Sequence, residues 1–219
     1  MQTFKTSKSR ENILSKIRKN LNQQPLPMPF PEVDKETIAS TFAQNDVTIE
    51  ETFADAFIKL GGKFIFCENE QDLMDNIHAL YDSRGWKQLL CSQENLLTLF
   101  SNNKLNFIEP ADSKEEKADA CITGCEVLVA RTGSVILSSK QYLGRTSSVF
   151  FPVHIIVAYG NQIVPDIQQA FDFIKSRYGT NPPSMINLNT GPSRTADIEK
   201  TLVVGVHGPA EVFCFYINA

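Results

Sequence analysis

The residues best suited to chemistry gather in one stretch, NTGPSRTADIEKTLVVGVHGP at 189–209. Gly191 and Pro192 set a tight turn, and Ser193 or Thr195 can cap a following helix by accepting a backbone N–H bond. Arg194 sits beside that expected helix start. Free N–H groups, a helix dipole and a guanidinium would then converge on one anion, a carboxylate or a phosphate. His207, in the turn GVHGP next to Gly208, adds a group that can take a proton near neutral pH. The same letters also spell an ordinary capped helix with acids in its first turns, a pattern that needs no ligand.

A second candidate stretch is ITGCEVLVARTGSVILSS, residues 122–139. Thr123-Gly124 and Thr132-Gly133 fall at strand edges, where glycine lets a ligand approach the backbone; both pairs read equally well as plain turns. Lys140, Arg145, Ser147 and Ser148 follow in a polar segment that could form a loop over a site. The other two histidines read as structural: His154 lies inside the apolar run VHIIVAY, and His78 lies on a helix face. Cys67, Cys91, Cys121, Cys125 and Cys214 are scattered, mostly in apolar strand-like runs where cysteine acts as a small hydrophobe. Cys121 and Cys125 alone are close, in a CxxxC spacing that supplies too few ligands for a zinc or iron–sulfur site. No GxGxxG, P-loop, HExxH or GxSxG pattern is present, so common nucleotide and protease chemistries lack support.

The elements that must position these residues alternate between two periodicities. Ile49, Phe53, Phe57 and Leu60 mark one helix face ended by Gly61-Gly62, and KFIFC at 63–67 reads as a strand. A helix is expected at 70–83, strands at 88–91 and 105–108, and a helix at 93–101 between them. Strands are expected at 126–130 and 134–137, then the continuous apolar run 153–159, a helix at 166–178 and a strand at 185–188. A helix from about 195 and a strand at 211–217 close the chain. Strand–helix alternation with unbroken apolar strands predicts an open α/β sheet, mixed or parallel, flanked by helices. Ligands in such sheets collect beyond the carboxyl ends of the strands.

Ahead of this domain, residues 1–24 hold six bases against one acid, with Ile13, Leu14, Ile17 and Leu21 at helical spacing. An amphipathic helix from about Ser9 to Gln23 is expected, either solvated or docking an acidic partner. Pro25, Pro27, Pro29 and Pro31 then give an extended linker, which separates a helical arm at 1–32 from a main domain at 33–219. The net charge of −4 over 219 residues thus divides into +5 on residues 1–24 and −9 on the other 195. That balance argues against non-specific nucleic-acid binding. No apolar window is long enough to span a membrane, and the start MQTFKTSKSR lacks the apolar core of a signal peptide, so a cytoplasmic protein is expected.

Three blocks carry a likeness beyond composition: TGPSRTADIEKTLVVGVHGP, ITGCEVLVARTGS and PVHIIVAYGNQIVP. Together they resemble the LUD-domain family, in its lactate-utilisation branch, from about residue 45 to the end and in the amino-terminal helix. The resemblance implies the α/β fold of ribose-5-phosphate isomerase, CoA transferases and 5-formyltetrahydrofolate cyclo-ligase. It also implies a role in oxidising L-lactate to pyruvate beside two iron–sulfur partner proteins. The absence of a cluster spacing here matches a subunit whose siblings carry the clusters. Thr132, Gly133, Gly191, Ser193, Arg194, Thr195 and Gly208 would bind a small carboxylate or a cofactor's anionic group, with His207 as a general base. No motif names the cofactor. One departure is Arg131: relatives carry an acid before this Thr-Gly, as in AETG, where this chain has VARTG. A glutamate near the equivalent turn is the nucleophile of CoA transferases, so the arginine argues against covalent CoA transfer and could instead reinforce anion binding. Two rival readings stay open, a non-catalytic assembly subunit for the iron–sulfur proteins and a stand-alone enzyme on a sugar phosphate or folate.

Overall fold

A computed structural model describes residues 7–21, 47–111, 118–141, 149–196 and 202–218. The chain divides into two compact units, 1–45 and 46–219. In the first, helix α1 (Ser7–Leu21) covers most of the helix expected from about Ser9 to Gln23. Its apolar stripe is open, with Ile13, Ile17 and Leu21 exposed. The four alternating prolines, and the 32/33 boundary read from sequence, lie outside the described residues.

The second unit is α/β. Helix α2 (Ile49–Lys59) starts at a capping box between Thr48 and Glu51, and turns Phe53 and Phe57 fully inward. Strand β1 (Lys63–Cys67) follows, then α3 (Glu70–Arg84), capped by Asn69 and stopped by left-handed Gly85. Next come β2 (Leu89–Cys91), α4 (Glu94–Asn102), β3 (Ile108–Pro110) and β4 (Ala120–Gly124). An antiparallel pair, β5 (Val127–Val129) and β6 (Ser134–Ser138), precedes the long strand β7 (Val153–Tyr159). The chain ends through β8 (Ile163–Val164), α5 (Ile167–Tyr178), β9 (Ile186–Asn189), β10 (Arg194–Ala196), β11 (Leu202–Val204) and β12 (Glu211–Ile217).

Six strands form one parallel sheet in the order β1-β12-β7-β4-β2-β3. Its central strands β7 and β12 are almost wholly buried, which is why VHIIVAY and EVFCFYI are apolar without alternation. One face packs on α3 and α4 through Leu73, Met74, Ile77, Leu96 and Phe100. The other meets α2 and a second sheet, ordered β8-β5-β6-β9, through Phe53, Phe57, Leu128, Val135 and Leu137. Val127, Val129 and Ile136 of the second sheet turn the opposite way, onto Ala170 and Ile174 of α5. The expected α/β sheet with flanking helices is therefore present.

Three local readings need correction. The third strand lies at 108–110 rather than 105–108, because Leu105 N–H closes a turn on Phe100 and Ile108 N–H bonds Leu105. Strand β4 is not among the expected strands: ACITG pairs with both β2 and β7, and Thr123-Gly124 forms its carboxyl end. The helix expected from 195 does not begin there. Arg194, Thr195 and Ala196 pair antiparallel with Val204, Val203 and Leu202, so the capping letters head a hairpin. The β-branched run of β11 outweighs the local capping signal.

Candidate functional site

The hairpin stands on a short base. Ser193 N–H bonds the Pro209 carbonyl, and Gly205 N–H bonds the Ser193 carbonyl. This brings the two ends of the 189–209 stretch together. Gly191, Ser193, His207 and Gly208 line one cavity of about 250 Å³, with Val149, Asn187, Leu188, Asn189, Thr190, Pro192 and Pro209. Gly208 lies so close to Ser193 that an added Cβ would sit 3.0 Å from the serine Cβ.

Strand β9 supplies the polar wall. Asn187 and Asn189 lie opposite Leu137 and Val135, residues of the inter-sheet core, so both amides share that face of the second sheet. Ile186 and Leu188 take the other face and are exposed. The sequence reading missed these asparagines. Their signal is the alternation INLN directly before Thr190-Gly191.

The second stretch reaches this wall through hydroxyls. Ser134 Oγ is 2.9 Å from Thr190 Oγ1, and Thr132 Oγ1 is buried with no hydrogen-bond partner. Gly133 has φ +58°, and a Cβ there would lie 2.5–2.9 Å from the Ala56–Phe57 backbone. The Thr-Gly turn thus packs directly on α2, a contact only glycine permits. Thr132 and Gly133 are not among the cavity-lining residues.

Arg194 and Thr195 also stand apart from it. Arg194 donates through Nη2 to the Leu60 carbonyl, one of the open acceptors at the carboxyl end of α2. A cation there complements the negative end of the helix dipole. Gly191, at φ +77°, lets the same turn close on Leu60: its missing Cβ would be 3.0 Å from that carbonyl oxygen. No helix begins at 194–196, so the expected dipole contribution to anion binding falls away. Arg131 is engaged as well, donating to Asp166 Oδ1 at 2.6 Å, while Asp166 caps α5. That hydrogen bond, with the Ile167 N–H, holds the Asp166 carboxyl below its ordinary range. Lys140 N–H bonds Ser138 Oγ; Arg145, Ser147 and Ser148 lie outside the described residues.

Two buried polar groups lie away from the cavity. His154 is fully enclosed, and burial pushes its pKa down from 6.5 to about 3. Its Nε2 is 2.7 Å from Thr123 Oγ1, and Nδ1 has no partner. The core role expected from sequence is met, with one nitrogen left unbonded. Glu126 is fully buried too, and no reading of the sequence marked it. Its Oε1 accepts from Ser138 Oγ at 2.5 Å and Tyr178 Oη at 2.6 Å. Oε2 lies 3.1 Å from Arg177 Nη1 yet forms no hydrogen bond, so that contact is an ion pair. Burial and the Glu126 hydrogen bond together raise the Tyr178 pKa. All five cysteines are buried as free thiols, and burial raises each pKa, which keeps them protonated and unreactive.

The chain belongs to the LUD domain family, whose pattern matches residues 49–217. Its similar relatives include proteins named Lactate utilization protein C. The one from Bacillus velezensis is 40% identical over 107 residues, covering 48% of this chain and 44% of that protein. The one from Bacillus subtilis is 43% identical over 100 residues, covering 45% and 42%. The one from Anoxybacillus flavithermus is 30% identical over 175 residues, covering 80% and 72%. The matched stretch spans less than half the length of the first two relatives. A crystal structure of a DUF162 family protein from Deinococcus radiodurans has the same fold. It has a TM-score of 0.57 at 20% identity, covering 78% of this chain and 96% of that one.

Proposed function

We propose that this chain serves lactate utilisation by holding a small carboxylate, L-lactate or pyruvate, in the cavity formed by Gly191, Ser193, His207 and Gly208. The observation that carries the reading is the convergence of residues from both ends of the 189–209 stretch on one small cavity of mixed polar and apolar lining. Ser193, Asn187 and Asn189 offer hydroxyl and amide donors for a carboxylate. His207 lines the same cavity, exposed, and carries an imidazole that can serve as a base. Oxidising a 2-hydroxy acid to its 2-oxo acid removes two protons and two electrons. In this proposal His207 takes the hydroxyl proton, while the carbon-bound hydrogen with its electron pair would leave as hydride to a two-electron acceptor outside this chain, which the one-electron clusters of an iron–sulfur partner protein would reoxidise. Residue 131 is an arginine paired with Asp166, so this position offers no carboxylate nucleophile for covalent CoA transfer. The mostly parallel sheet with a second sheet against it supports placing the fold with ribose-5-phosphate isomerase and CoA transferases.

The open apolar stripe of α1 supports a second reading, in which the arm organises the iron–sulfur proteins. Calorimetric titration of the full chain with L-lactate and pyruvate tests the first. Saturable binding weakened tenfold or more by Ser193→Ala is expected. Equal affinity in parent and variant refutes the cavity as the binding site.

A further inference from the structure

A second cavity, apart from the 189–209 stretch, opens between α2 and the edge of the parallel sheet. It holds about 490 Å³ and is lined by Glu50, Glu51 and Ala54 of α2 and by Phe64 and Phe66 of β1. β1 is the outermost strand of its sheet and, among the described residues, pairs only with β12. Phe64 and Phe66 stand opposite Cys214 and Tyr216, so their rings share one face of the sheet with Tyr216. The ring centroids lie 6.0 and 6.1 Å from that of Tyr216, and Phe66 is 49% exposed.

The two acids of the wall differ in their commitments. Glu51 belongs to the capping box of α2, accepting the Thr48 N–H at 3.1 Å. Glu50 takes no part in that cap; its Oε1 accepts from Tyr216 Oη at 3.3 Å. Burial, and then the Glu50 carboxylate, push the Tyr216 phenol up to about 12, so the hydroxyl stays a donor and holds Glu50 beside the rings. Among the described residues no Lys, Arg or His pairs with Glu50 or Glu51, and no cation sits over Phe64 or Phe66. Residues 22–46, which precede α2 in sequence, hold four acids and one base, so they repeat the sign of this cavity.

We infer that this cavity binds a small organic cation, an alkylammonium head that meets the Phe64 and Phe66 rings and the Glu50 carboxylate. Aromatic rings attract such a cation through their electron-rich faces. A carboxylate already fixed beside them adds the opposite charge without reorganisation on binding. Tyr216 occupies Oε1, which leaves one Glu50 oxygen for the ligand and suits a compact ammonium better than a bidentate guanidinium. Other ligand classes fit worse. An anion would meet two carboxylates, calcium or magnesium would find too few oxygen ligands, and a neutral apolar guest would desolvate Glu50 without a counter-charge.

Amide-detected NMR titration of the full chain at constant ionic strength tests this, with choline as the cation and dimethylbutanol, its uncharged carbon isostere, as the comparison. Choline should bind saturably in the millimolar range, moving the amide signals of Glu50 and Phe66, and the isostere should bind at least tenfold more weakly. Glu50→Gln keeps an acceptor for Tyr216 while removing the charge, and Phe66→Leu keeps apolar bulk while removing the ring. Each should weaken choline at least fivefold. Phe171→Leu, at an exposed aromatic on α5, should leave choline affinity unchanged. The choline–isostere comparison is made on the parent chain, so it stands even where a variant misfolds. Absence of saturable choline binding overturns the inference. So does equal affinity for the isostere, or parental choline affinity in a folded Glu50→Gln or Phe66→Leu chain.

Discussion

Acid should destabilise this domain through one identifiable imidazole. His154 is fully buried on β7, bonded to Thr123 through Nε2, and its pKa falls from 6.5 to about 3. The folded pKa lies below the unfolded one, so the unfolded chain takes up the proton first as pH falls through 6.5. The stability is complete above that point and is lost progressively down to about pH 3. Each tenfold change in proton affinity is worth about 1.4 kcal/mol, so the full loss is about 5 kcal/mol, and about 2 kcal/mol of it falls between pH 7 and pH 5. A domain of this size has roughly 5–15 kcal/mol in hand, so the effect is large. The assay is urea denaturation at pH 7, 6 and 5 for the parent and for His154→Leu. The variant starts less stable at pH 7, because Thr123 loses its partner, but it lacks this proton uptake. The stability gap between the two should narrow by about 2 kcal/mol on going to pH 5. Parallel pH profiles, or a His154 that titrates near 6.5 in the folded protein, would refute the reasoning.

Two further predictions concern groups placed by the fold. Glu126→Leu should cost about 3 kcal/mol, read from the urea midpoint, because it strips Ser138 and Tyr178 of a buried acceptor and Arg177 of its ion pair; Glu126→Gln should cost about half as much. Arg194→Ala should cost about 1 kcal/mol of stability by uncapping the carboxyl end of α2. Its affinity for lactate should stay within threefold of the parent. A tenfold loss would put the guanidinium on the ligand.

The parts of the fold legible in sequence are those where one local pattern and the tertiary environment agree. α2 carries its cap, its apolar spacing and its stop in 15 letters, and β7 and β12 are apolar throughout because both their faces are covered. β4 escaped because ACITG is made of small and mixed residues with no alternation, and only its two neighbours make it a strand. The hairpin was obscured for the opposite reason. SRTADIE is a strong local helix start, and the pairing that overrides it depends on β11 several residues away. The candidate site divides the same way. Gly191, Ser193, His207 and Gly208 were visible as one dense polar stretch. The true partner of Arg194, the Leu60 carbonyl, is 134 residues away, and Glu126 meets Tyr178 across 52. Contacts of that range leave no spacing to read.

The central claim is that a small carboxylate sits beside His207. The chain has three histidines, at 78, 154 and 207, so selective isotopic labelling of the imidazoles yields three assignable signals. Titrating the labelled protein with L-lactate at constant pH should move the His207 resonance saturably while those of His78 and buried His154 stay in place. A His207 signal that does not move at saturating lactate, or a response confined to His78, would contradict the account.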